Sequence, residues 1–242
     1  MKKVLKIVAL VLLGLVVGVV LVLGYLGFVP GLSSLFGSDK PRDLGVENDP
    51  AVLAQVLSET KVEMKQLQPG LEGKSGVTFE GQIAVKQGFD SKELTALMNN
   101  TCQWRYCMMS SSQVRVNGDG SVEVSGLVHF DRVSGYASRF DMPVDRLNQA
   151  LEGLKLAPST MPIYVKGRPA AANDAVSLNI EKIELGRLPA PQDQVEKYAG
   201  EIDGFVESQL AQVPGFSMKS VTVESGELKF DGTHPAKVSV SP

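Results

Sequence analysis

Residues that do chemistry are scarce here. The 242-residue chain has two cysteines and two histidines. A structural zinc site takes about four ligands, so Cys102, Cys107, His129 and His234 would all have to converge on one ion. A metal centre is therefore not expected. Four residues separate the cysteines, where a dithiol redox motif has two. There is no G-x-S-x-G elbow, no H-E-x-x-H and no glycine loop to cradle phosphate. Ser110, Ser111 and Ser112 with His129 and Asp131 can be drawn as a triad. However, His129 shares strand parity with Glu123 and Ser125 and is expected on a solvated face. "NGDGSVE" lacks the spaced aspartates of a calcium loop. The sequence points to a non-enzyme with no catalytic residue, metal or cofactor.

Excess positive charge is missing too. The 24 basic residues face 27 acidic ones, and an acidic surface is repelled by phosphates, which disfavours nucleic acid. Charge of either sign is absent from Ile7 to Val29. As a helix at about 1.5 Å per residue this run is roughly 34 Å long, against about 30 Å of bilayer hydrocarbon. The expectation is a transmembrane signal-anchor over residues 1–29, uncleaved for want of a small-residue cleavage site. Lys2, Lys3 and Lys6 would hold the amino terminus in the cytoplasm. Residues 30–49, rich in Gly, Ser, Pro and charge, would form an extracytoplasmic linker, and 50–242 a single extracytoplasmic domain. Gly14 and Gly18 have the spacing through which spanning helices dimerise, so a homodimer is one possible partner arrangement.

Beyond the linker, Asn48 or Asp49 is placed to cap a helix with Pro50 at its first position. "VEMKQL" is open between helix and strand. "VTFEGQIAVKQG" alternates, with Val77, Phe79, Ile83 and Val85 on one face of a half-buried strand. Asp90 and Glu93 make a capping box for a helix carrying Leu94, Leu97 and Met98. "QVRVNGDGSVEVSGLVHF" is a hairpin turning at "NGDG". "SGYASRFDM" is expected to extend the sheet, and Pro143–Leu154 to be helical. "PIYVKGRP" and "DAVSLNIEKIELGRL" read as two strands, the second with a bulge near Glu181–Lys182 to correct its parity. The long helix "PAPQDQVEKYAGEIDGFVESQLAQVPG" carries an apolar stripe at 3.6-residue period. A last hairpin turns near Ser225–Gly226. The fold class is α+β: an amino-terminal transmembrane helix, then a curved antiparallel sheet packed against helices, one of them long.

In an oxidising space Cys102 and Cys107 are expected to form a disulfide closing a short loop. Trp104 and Tyr106 lie inside that loop. They are candidate surface aromatics for touching a ligand, or else they cover the end of the sheet.

"VSLNIEKIELGRLPAPQDQVEKYAGEID" resembles the YpmS-type membrane-anchored bacterial proteins, as does the order of "FDSKELTALMNN" before "QVRVNG". "MKSVTVESGELKFDGTHP" is similar to the closing hairpin of LmeA-type envelope phospholipid-binding modules. The second resemblance implies a curved sheet wrapped around a long helix to hold lipid. On that view the groove residues are Val195, Tyr198, Ile202, Phe205 and Val206. The function expected is a membrane-anchored, extracytoplasmic, non-catalytic module for a lipid or other hydrophobic ligand. The alternative is a structural or assembly component of the envelope that acts through protein contacts.

Overall fold

Local rules set the elements, and a few residues at positive φ decide which sheet each strand joins. The computed structural model describes residues 2–67, 76–139 and 158–241. It is α+β, with helices α1 (Lys2–Leu26), α2 (Leu32–Leu35), α3 (Pro50–Thr60), α4 (Ser91–Thr101), α5 (Val133–Arg139) and the long α6 (Gln192–Ala211). Three sheets replace the single one expected. The first has the order β1 (Glu63–Gln66), β13 (Lys237–Val240), β2 (Val77–Glu80). The second runs β10 (Leu188–Pro189), β9 (Ile180–Leu185), β6 (Thr160–Gly167), β5 (Val122–His129), β4 (Met109–Val116). The third runs β3 (Ile83–Phe89), β12 (Glu227–His234), β11 (Ser217–Glu224), β7 (Ala170–Ala172), β8 (Ala175–Ser177). Pairing is antiparallel except for β1 beside β13, which is parallel.

Both helix starts form as read. Asp49 accepts from the Ala51 N–H, with Pro50 at the first helical position of α3. Asp90 accepts from Lys92 and Glu93 while the Glu93 carboxylate takes the Asp90 N–H, closing the box on α4. The β4–β5 and β11–β12 hairpins also form, the second turning through Ser225 and Gly226 at positive φ.

Two continuous strands of the sequence reading are in fact broken. Gly81 sits at φ +67°, which separates β2 from β3 and sends them to different sheets. A side chain there would be strained. Likewise Asn179 at φ +42° divides β8 from β9. The bulge expected near Glu181–Lys182 also forms: Lys166 pairs with Lys182 and Gly167 with Ile180, leaving Glu181 as the extra residue that reverses the parity of Ile183 and Leu185. "SGYASRF" does not extend the sheet either. Val133 and Ala137 are buried in α5 and Tyr136 is half-buried, and that i, i+3, i+4 spacing is helical. The helix expected at Pro143–Leu154 lies outside the described residues.

The largest correction concerns the amino terminus. Among the described residues no helix is long and apolar enough to cross a membrane. This overturns the transmembrane anchor, the single-pass placement and the extracytoplasmic localisation drawn from it. The physical reason is that the carboxyl-terminal end of α1 is occupied by the rest of the fold. Ser38 Oγ donates to the Gly24 carbonyl at 2.8 Å, and the Arg187 N–H donates to that of Leu26 at 3.1 Å. The Tyr25 ring meets Phe36 edge-on, with the Arg187 guanidinium 4.7 Å above it. The exposed large apolar side chains of the described helix run from Val11 to Leu23 before this docked turn. Gly14 and Gly18 lie within this stretch, with nothing within 4 Å of where a Cβ would stand.

The segment after α2 is not a free tether. Leu44 and Val46 are buried with Tyr164 on the second sheet, and the Leu44 N–H donates to Gln113 Oε1 at 2.6 Å. They cover the face that carries Glu123 and Ser125, which is therefore buried and not solvated.

Candidate functional site

The inner face of the third sheet is where a cavity opens. Along β12 the residues Leu228, Phe230, Gly232 and His234 share one side, because side chains alternate along a strand. Across the pairing they stand opposite Phe89, Gln87, Val85 and Ile83 of β3. Lys86, Lys229 and Asp231 take the other face, with Lys86 and Asp231 paired at 3.3 Å. Gly232 is fixed by close approach, since a Cβ would collide with the Ser217 carbonyl oxygen.

Helices α3 and α4 roof this face. Val56 of α3 packs with Val85 and Phe89, and Leu94 and Leu97 of α4 border the same cluster. Leu94 also touches the cluster of Val114, Val116 and Val122, so α4 is wedged between the second and third sheets. Between roof and sheet remains a cavity of about 300 Å³. Its walls come from α3 (Leu57, Thr60), α4 (Leu94, Leu97, Thr101), the third sheet (Val85, Phe89, Val221, Leu228, Phe230) and Val238 of the first sheet.

Polar groups are few in this lining. Thr60 Oγ1 donates to the Val56 carbonyl at 2.7 Å and Thr101 Oγ1 to that of Leu97 at 2.8 Å. Both hydroxyls are thus spent on their own helices. His234 closes one end, with its ring edge-on to Phe216 at 6.1 Å. Its Nδ1 lies 2.8 Å from the Pro235 carbonyl oxygen. Burial lowers its pKa below 6.5, against a smaller opposing effect of that hydrogen bond.

The groove expected along α6 forms only in part. Val195 is buried and Ile202, Phe205 and Val206 are half-buried, but Tyr198 is 40% exposed. None of the five lines the apolar cavity. A second cavity, of about 450 Å³, lies under the carboxyl-terminal half of α6 and is lined by Gly204, Glu207, Ser208 and Leu210. Phe216 and Met218 border both cavities. The acidic side of α6 does not simply face water. Asp203 accepts from the Leu178 N–H at 3.0 Å and Glu207 from the Val176 N–H at 2.6 Å.

Cys102 and Cys107 are paired as a disulfide, with Cα atoms 5.3 Å apart. A loop this short stabilises by roughly 2 kcal/mol in the chain-entropy model. Trp104 is 7% exposed and packs with Val77, Cys107, Val238 and Val240, while Tyr106 is half-buried beside them. Both rings cover the first sheet.

The triad drawn from sequence is partly assembled. Ser110 Oγ lies 2.7 Å from His129 Nε2, but Nδ1 faces Thr160 Oγ1 at 3.3 Å and not Asp131. Burial, then the nearby Arg132 charge, lowers the His129 pKa. Ser112 is buried, its N–H bonded to Asn99 Oδ1. Neither Ser110 nor His129 lines the apolar cavity. No group of three or more His, Cys, Asp or Glu among the described residues could hold a metal.

Sequence reasoning found Val85, Leu94 and Leu97 as apolar positions but not their common cavity. It missed His234 as a wall residue, weighing it only as a zinc ligand. The available signal was parity, since His234 continues the Leu228–Phe230 alternation. No family model, curated protein or solved structure matches this chain. The resemblance to YpmS-type and LmeA-type proteins finds no support there.

Proposed function

We propose that the protein is a non-catalytic binding module for a single-chain hydrophobic ligand, held between α3, α4 and the inner face of β3, β12 and β11. One observation carries this reading: a cavity of about 300 Å³ whose walls are apolar apart from Thr60, Thr101 and His234, with both threonine hydroxyls already bonded. A dry apolar cavity of ~150 Å³ holds benzene. Twice that volume suits a chain on the order of a dozen carbons. Small-molecule sites are commonly apolar clefts with a few placed polar groups, and this lining has that character.

The test is equilibrium dialysis of the protein against radiolabelled dodecyl methyl ether, which carries neither charge nor hydrogen-bond donor. Saturable binding of one ether per chain is expected. Leu57 is half-buried on the cavity wall, so Leu57→Trp fills the space without entering the deep core and removes the saturable component. Uptake that never saturates, or that survives in L57W, would mean the ether sits elsewhere, and the reading fails.

A further inference from the structure

His234 gives the cavity an end that differs from the rest. A carbonyl oxygen only accepts, so the 2.8 Å contact between His234 Nδ1 and the Pro235 carbonyl places the ring hydrogen on Nδ1. Nε2 then carries a lone pair and sits on the ring edge away from the main chain. Among the described residues Nε2 has no hydrogen-bond partner, and no carboxylate pairs with the ring. The opposite end is closed by Leu228 and Phe89, which face each other across the β12–β3 pairing. From Leu228 to His234 the strand covers roughly 20 Å at about 3.4 Å per residue. The cavity therefore has one wholly apolar end and one end with a single acceptor.

Resting on the proposed reading of this cavity, we propose that it selects single-chain ligands ending in a hydroxyl, whose O–H donates to His234 Nε2 while the chain runs toward Leu228 and Phe89. A carboxylate offers no donor and would bring an unpaired charge into an apolar wall, which is strongly unfavourable. An ether or ester end offers no donor either. Burial favours the neutral ring, consistent with its acting as an acceptor.

The experiment compares 1-dodecanol, dodecyl methyl ether and sodium dodecanoate by equilibrium dialysis against the full-length protein at pH 7.5. Dodecanol is expected to bind about five-fold tighter than the ether, the effect of one net hydrogen bond, and dodecanoate weakest of the three. In His234→Phe the alcohol loses its advantage while the ether binds within about two-fold of the wild type; His234→Leu replaces it if the phenylalanine variant does not fold. Dodecanoate binding best, or an alcohol preference that persists in both variants, overturns the proposal and leaves the cavity reading standing if the ether still binds. Loss of saturable ether binding to the wild type overturns both.

Discussion

At the scale of single residues, the strongest electrostatic arrangement lies away from the cavity, at Glu123. The residue is 7% exposed, and its carboxylate accepts from Arg115, from Asn117 Nδ2 at 2.9 Å and from the Tyr164 hydroxyl at 2.8 Å. Burial alone would raise its pKa, but the hydrogen bonds from Arg115, Asn117 and Tyr164 outweigh burial and hold it below 4.5. Burial, then the bond to Glu123, pushes Tyr164 up to about 12, and the Arg42 guanidinium stacks 3.9 Å over the same ring. These groups pin the Leu44–Val46 strap to the second sheet, since Arg115 also reaches the Leu44 carbonyl at 3.4 Å. Glu123→Gln keeps the volume but removes the charge and turns an amide N–H₂ toward donors. The expected loss is about 2–3 kcal/mol in urea unfolding at pH 7. Because the folded pKa is depressed, the stability that Glu123 contributes is present above its unfolded value near 4.5 and is lost as pH falls through the folded value. The gap between wild type and E123Q should therefore be full at pH 6 and shrink below pH 4.5. A gap unchanged at pH 3 would show that the carboxylate charge contributes nothing.

Elements show how far the sequence could be read. The caps at Asp49–Pro50 and Asp90–Glu93 were legible because each needs only residues within one turn of the helix. The "NGDG" and Ser225–Gly226 hairpins were legible for the same reason. Gly81 and Asn179 were not read as breaks, because apolar alternation resumes on the far side of each and hides the change of sheet. The cavity was invisible because its walls come from α3, α4 and all but the second of the sheets, joined through pairings such as Phe230 with Gln87, and periodicity within one segment carries no information about such contacts. The role of α6 was misread in a related way. The apolar stripe was clear, yet what its acidic residues do depends on an edge strand that the sequence hid. An open edge is a template for unwanted pairing, and Asp203 and Glu207 cover that of β8 by taking the N–H groups of Leu178, just past the strand, and of Val176 within it. Replacing both with alanine should leave α6 helical and speed amide exchange at Val176 and Leu178 by ten-fold or more, about 1.4 kcal/mol of lost protection. Exchange at these two amides that stays as slow as in the wild type would show that the helix does not guard the edge.

For the molecule as a whole, the cavity is a place where two helices and two sheets border one space. Met64 and Val238 bring the first sheet to its wall, Phe230 and Val221 bring the third, and Leu94 ties α4 both to this cavity and to the apolar cluster of the second. A ligand there touches α3, α4 and the first and third sheets at once, so occupancy should stabilise the fold globally and not only its local roof. Binding to the native state alone adds about 2.7 kcal/mol when free ligand is one hundred times its dissociation constant. For a chain of this size each kcal/mol raises the melting midpoint by about 2–4 °C, so dodecyl methyl ether should lift it by roughly 5–10 °C. The exposed apolar stripe from Val11 to Leu23 provides the control that matters, because ether partitioning onto it raises no shift that depends on the cavity. Leu57→Trp keeps that stripe and fills the cavity, and its midpoint should stay flat across the same titration. Scanning calorimetry of the two proteins side by side decides the matter: an equal rise in both would place the stabilising contact on the stripe and leave the cavity with no share in the stability of the whole.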